Sequence, residues 1–240
     1  MSDPKEMPFL EHLKELRTRL IRILAGLLVG AIIAFYFSEL LFAFLTEPIR
    51  SNFKNLQIIG TGVAEAFSMK LRISIAAGIV LSLPWSFSEI WKFISPGLLE
   101  KERKLAAPFV FFSSILFISG ISFCFYVVLP TALSFFSDEF ISIGLAPQIR
   151  ISEYLSFVTT FMLVFGIVFE VPVLTFALAR AKMVTHQQLI KWFRLSIVII
   201  FILAGVLTPT PDIMSQLLLA IPMLILYGVC IGVAYYVNRE

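Results

Sequence analysis

The fold class this sequence predicts is an all-α membrane protein of six transmembrane helices with both termini in the cytoplasm, and three observations predict it. The 240-residue chain is 59% hydrophobic and 15% charged, with a mean hydropathy of +0.93, well above the apolar share of soluble domains. Its apolar residues gather in six blocks, at about 20–37, 73–90, 106–129, 155–179, 195–207 and 213–237; helices are their natural form, because lipid leaves backbone polar groups no partners but each other. Lys and Arg then divide unevenly between the connections. Fourteen fall on the side of the N-terminus and five on the other, which by the positive-inside rule places both ends in the cytoplasm. No internal repeat or low-complexity linker divides residues 1–240, so they are expected to form a single polytopic domain.

The elements follow in order. Leu10, Leu13, Leu16 and Leu20 recur at helical spacing among Glu11, Lys14, Glu15, Arg17 and Arg19, with Pro8 where a first-turn proline is tolerated. This predicts an interfacial amphipathic helix leading into the first span. The first apolar run, Leu20–Phe37, exceeds a signal-peptide h-region and lacks an A-x-A exit, so it is read as a retained span. After the second block, Trp91 and Phe93 stand at the expected interface level, followed by the mixed-charge run Glu100, Lys101, Glu102, Arg103 and Lys104. Such a run is a solvated loop or, alternatively, a surface whose carboxylate accepts a guanidinium in a charge-assisted pair while the aromatic packs the partner's apolar side.

The fifth block offers about 13 apolar residues, roughly 20 Å of helix, before TPTPD (Thr208–Asp212) stops it. The fifth and sixth spans are therefore expected to be short, thinning the bilayer locally. Pro84, Pro108, Pro130, Pro172 and Pro222 lie inside or at the rims of spans, which predicts bent helices forming a concave wall. The segments Ser38–Arg72 and Thr131–Tyr154 are long enough to cap that wall on the non-cytoplasmic side.

Glu170 is the one charge in Phe157–Ala179. An ionisable group inside a span is costly and faces a protein interior, a water-filled cavity or a substrate path. A structural bond to a hydroxyl of a neighbouring span, such as Ser113, Ser114 or Ser122, is the plainer account; contact with a polar group of a translocating substrate is the other. Cys124 and Cys230 lie in apolar runs without ligand spacing, and His12 and His186 stand in separate polar segments, so neither a disulfide framework nor a metal or cofactor is implied. No span carries a histidine to activate a serine, and neither HExxH nor GxxxxGK[ST] occurs. A proton-coupled small-solute transporter using Glu170 is the alternative from another class, though the chain lacks the repeat and paired broken helices common in such folds.

Four strings narrow the choice: HLKELRTRL (His12–Leu20), WKFISPGLLEKERKL (Trp91–Leu105), YLSFV…FGIVFEVPV (Tyr154–Val173) and LTPTPDIMSQLLLAIPM (Leu207–Met223). In order and at span positions from about residue 8 to 236, they resemble the TatC family of the twin-arginine translocase. The resemblance implies a receptor and no enzyme: a cytoplasmic face that recognises twin-arginine signal peptides of folded cargo, assembles with itself and with single-span TatB- and TatA-type subunits in the cell membrane, and draws on the proton-motive force without nucleotide. By motif position it implies Phe93 and Glu102 as the main recognition residues, with Glu15, Arg17 and Arg103 near them in role. Glu170 matches the family's polar residue in span four, a contact for partner subunits, and Pro48, Pro172, Asp212 and Gln216 match further motif positions. Where the family commonly reads LYE after IPM, this chain has Gly228, so no role of an acidic group there carries over.

Overall fold

The computed structural model describes residues 9–53, 57–94, 106–144, 148–207 and 213–239. Six helical spans are long and apolar enough to cross a membrane, one for each predicted block. The first helix, α1 (Phe9–Tyr36), runs without a break from the amphipathic segment into the first span. A turn at Phe37 starts α2 (Ser38–Asn52), so the first capping segment contains a helix of its own. Pro48 is buried inside it, and Ser51 and Asn52 donate side-chain hydrogen bonds to the Pro48 carbonyl, closing the last turn where intrahelical donors run out. The second span, α3 (Glu65–Ile94), continues through Pro84. At its start the Glu65 carboxylate accepts the backbone N–H groups of Thr61 (2.5 Å) and Gly62 (2.9 Å), pinning the preceding loop.

The third span does not end at its proline. It comprises α4 (Ala106–Phe123), a π-helical turn (Cys124–Val128) and α5 (Leu129–Ser142). Pro130 offers no N–H to the carbonyl four residues back; the widened turn absorbs this, with the Leu129 N–H reaching Cys124 O. Much of the segment expected to be a connector, Thr131–Tyr154, is therefore helix. Its remainder holds a three-residue strand, β2 (Gln148–Arg150), pairing in parallel with β1 (Gln57–Ile59) so that Ile58 faces Ile149. The two capping segments are thus tied to each other.

The fourth span is broken at Glu170 into α6 (Ile151–Phe169) and α7 (Val171–Arg180). Pro172 forces the break by withholding a helical donor, and the Glu170 N–H turns back to Ile167 O at 3.0 Å. The last two spans are α8 (His186–Leu207) and α9 (Ile213–Val237). At 22 and 25 residues they are the shortest of the six spans, yet α8 is longer than its apolar block. The polar turns His186–Arg194 join it, giving ~33 Å of helix where ~20 Å was expected.

The core is centred on α6, whose Leu155, Val158, Phe161 and Phe165 are fully buried against Ile73 of α3, Leu129 of α5, Ile49 of α2 and Leu219 of α9. The Tyr154 hydroxyl donates to Leu45 O at 2.8 Å, fastening α6 to α2. Spans α1, α8 and α9 bury least of themselves, so Leu28, Ile32, Ile202, Val206 and Ile225 remain exposed, as suits surfaces facing lipid. Backbone contact sets two helix crossings. A Cβ on Gly30 would lie 2.7 Å from Gly78 O, and one on Gly78 2.5 Å from Ala31 N, so α1 and α3 touch main chain to main chain. Gly120 of α4 and Gly166 of α6 allow the same approach: a Cβ on either would strike Phe165 O or the Phe117 ring.

Candidate functional site

The α1–α3 crossing positions a charged cluster. Arg19 precedes Gly30 by eleven residues and Glu89 follows Gly78 by eleven, so each lies ~16 Å along its antiparallel helix from the contact. There Glu89, only 1% exposed, takes one oxygen to Lys92 (2.7 Å) and the other to Arg19 (3.1 Å) and Arg22 (3.6 Å). A buried carboxylate persists only when paired and hydrogen-bonded, and three cations meet that condition. Arg19 also reaches back one helical turn, its Nε and Nη2 donating to Glu15 Oε1 at 2.9 and 2.5 Å. All three guanidinium nitrogens are engaged. The second Glu15 oxygen, Oε2, is buried without a hydrogen-bond partner among the described residues.

One turn beyond Glu89 stands Phe93, with the His12 ring stacked on it at 4.4 Å. Trp85 completes the wall: its indole N–H donates to Arg22 O at 3.1 Å, and Lys92 lies over its ring. Trp91, on the other side of α3, is buried and packs on Phe109 of α4. This end of the helix pair thus gathers two hydrogen-bonded carboxylates, a stacked aromatic pair and a surplus of positive charge.

The structure brings together two of the five residues expected at the recognition surface, Glu15 and Phe93. Arg17 is exposed two positions from both Glu15 and Arg19, and at ~100° per residue it points to the other side of α1. Glu102 and Arg103 lie outside the described residues, as does Asp212. Glu89, Arg19 and His12 are the residues sequence reasoning passed over. Glu89 carried a legible signal, since it sits inside the apolar block 73–90 much as Glu170 sits inside 155–179.

Glu170 forms a separate, deeper feature. It is 8% exposed and faces Ser113, which is fully buried on α4, and the backbone of Phe117. Among the described residues, neither Glu170 Oε1 nor Ser113 Oγ completes a hydrogen bond. Pro172, buried in the first turn of α7, holds the break that turns the carboxylate inward. Its neighbours Val168 and Val171 line an apolar groove of about 320 Å³ shared with Trp192 and Ile199 of α8 and Met223 and Tyr227 of α9. At the far end of that hairpin Gln216 donates to Phe201 O at 2.7 Å, and Gly205 leaves room for it. Among the described residues no group of three or more His, Cys, Asp or Glu could hold a metal ion.

Comparison with known proteins places this geometry in a family. Residues 11–222 match the profile of the Sec-independent protein translocase protein (TatC). The chain is 37% identical to the TatC of Carboxydothermus hydrogenoformans, with 99% of this chain and 97% of that one covered. It is 40% identical to that of Rickettsia prowazekii, covering 96% and 93% respectively. Its fold superposes with a TM-score of 0.87 on a crystal structure of a twin-arginine translocase receptor, TatC, at 34% identity over 95% of this chain and 100% of that one. The chain belongs to the TatC family of Sec-independent protein translocase proteins.

Proposed function

We propose that this chain is the receptor and core subunit of a twin-arginine translocase, a single polytopic unit with both termini in the cytoplasm. Its cytoplasmic face binds twin-arginine signal peptides through Glu15 and Phe93 on the α1–α3 pair and through Glu102, with Arg17 and Arg103 in supporting roles. The observation that supports this reading is the gathering of Glu15, paired with Arg19, and of Phe93, under the His12 ring, at one end of the α1–α3 pair. A guanidinium needs such an acceptor for a charge-assisted pair, and a planar group to pack against. The positive charge concentrated at that end fits the cytoplasmic side.

Glu170 is a second site. Its unpartnered oxygen suits a polar group of the inserted peptide or of a single-span TatB- or TatA-type subunit. Pro172 holds it in place, Pro48 and Tyr154 shape the opposite cap, and Gln216 holds the α8–α9 hairpin. Assembly with those subunits, and of several copies of this chain, completes a passage driven by the proton-motive force. The test is equilibrium binding of a labelled twin-arginine peptide to the chain in nanodiscs. Glu102→Gln should weaken binding of the arginine peptide and leave binding of a generic hydrophobic peptide unchanged; unaltered arginine selectivity would overturn the assignment.

A further inference from the structure

The receptor face is already occupied by the chain itself. Where a cargo guanidinium would pair with Glu15, the Arg19 guanidinium does so, with two nitrogens on Oε1. Where a cargo side chain would lie on Phe93, His12 is stacked. Both resident groups come from the cytoplasmic extension of α1. Arg19 differs from an ordinary surface partner in one respect: its third nitrogen, Nη1, is bound to Glu89 on the neighbouring helix. It therefore has a second, buried acceptor that does not depend on Glu15.

We propose that Arg19 is a specificity-determining residue, a resident competitor for the cargo's guanidinium on Glu15, and that Glu89 is the acceptor that retains Arg19 when cargo displaces it. The inference rests on the receptor reading above and adds a reason for arginine over lysine. To take Glu15, an incoming cation must replace two hydrogen bonds from a planar fork. A second guanidinium can present the same fork. An ammonium offers a point charge without that geometry. Arg19 thus sets a threshold that lysine does not meet, while Glu89 keeps the displaced cation from being left unpaired, an outcome that would make displacement costly.

The experiment measures binding of two labelled peptides, one with paired arginines and one with paired lysines, to the full chain in nanodiscs. The variants are Glu15→Gln, Arg19→Gln, Arg19→Lys, Glu89→Gln and the double variant Arg19→Gln/Glu89→Gln, with thermal unfolding confirming the fold of each. Removing the competitor should raise affinity for the lysine peptide more than for the arginine peptide, lowering the arginine-to-lysine ratio by about tenfold, the value of one or two hydrogen bonds. Arg19→Lys should shift the ratio the same way by less. Glu89→Gln should weaken arginine-peptide binding while Arg19 is present and have no effect in the double variant. A ratio unchanged in both Arg19 variants, or an equal loss of both peptides, would overturn the proposal. Should Glu15→Gln leave arginine binding intact, it is the receptor role of Glu15 that fails, whatever the Arg19 variants show.

Discussion

Arg19 and Glu89 lie 70 positions apart in the chain and meet at 3.1 Å across the α1–α3 interface, the carboxylate almost entirely buried. The contact links a basic, solvent-facing extension of α1 to the end of a transmembrane helix. It makes the orientation of Glu15 and Phe93 a property of the helix pair rather than of a loop.

Glu89→Ala should lower stability, because it strips Arg19, Arg22 and Lys92 of their shared anion. Breaking a fully buried pair costs about 3–5 kcal/mol; here about 2 kcal/mol is expected, since Arg22 and Lys92 remain half exposed and can turn to water. Thermal or denaturant unfolding in detergent reads this, and an unshifted transition would show that the cluster adds nothing to the fold.

The glycine contacts give a contrast within one series. Gly78→Ala drives a Cβ against main-chain atoms of α1 that cannot move independently, so overpacking of about 1–3 kcal/mol is expected, with peptide binding lost as the helices part. Gly228→Ala and Gly232→Ala meet nothing within 4 Å. By helix propensity they should stabilise by up to ~1 kcal/mol. Equal unfolding temperatures across all three variants would remove the crossing from the account.

Tyr154→Phe deletes the hydroxyl that ties α6 to the carbonyl of Leu45. A loss of about 1 kcal/mol is expected, together with faster proteolysis of the α2 segment, which that bond helps hold against the core.

For Glu170 the expectation separates folding from function. An oxygen buried without a partner among the described residues is a cost to the fold, so Glu170→Leu should unfold at the same temperature as the natural chain or a higher one. Cargo export in cells, and cross-linking of span four to single-span subunits, should fall. A clear drop in unfolding temperature would instead make Glu170 a structural residue.

Much of this architecture is legible from residues alone, because lipid allows few solutions: six apolar blocks become six helices, and the leucine spacing before Leu20 extends the first of them. What escaped has physical reasons. Pro130 reads as a stop, but a π turn carries the helix past it. Strands of three residues, β1 and β2, leave no alternating pattern to detect. The fifth span, α8, recruits polar turns that hydropathy excludes. At the site, Glu15 and Phe93 are named by motif position, whereas Glu89, a charge inside the apolar block 73–90, stands beside Lys92, close enough to the loop charges to look like one of them. Glu170 alone left a small-solute transporter open; the full-length family match decides for a translocase component.

Whether the Glu15–Phe93 surface receives the arginines of the signal peptide is read by photo-cross-linking from a probe placed at His12, which stacks on Phe93, in membranes containing the full chain and a translocation-competent precursor. A cross-link to residues flanking the arginine pair is expected, lost with Glu15→Gln and when lysines replace the arginines. A precursor that never cross-links from position 12 but does so from the α8–α9 groove would contradict it.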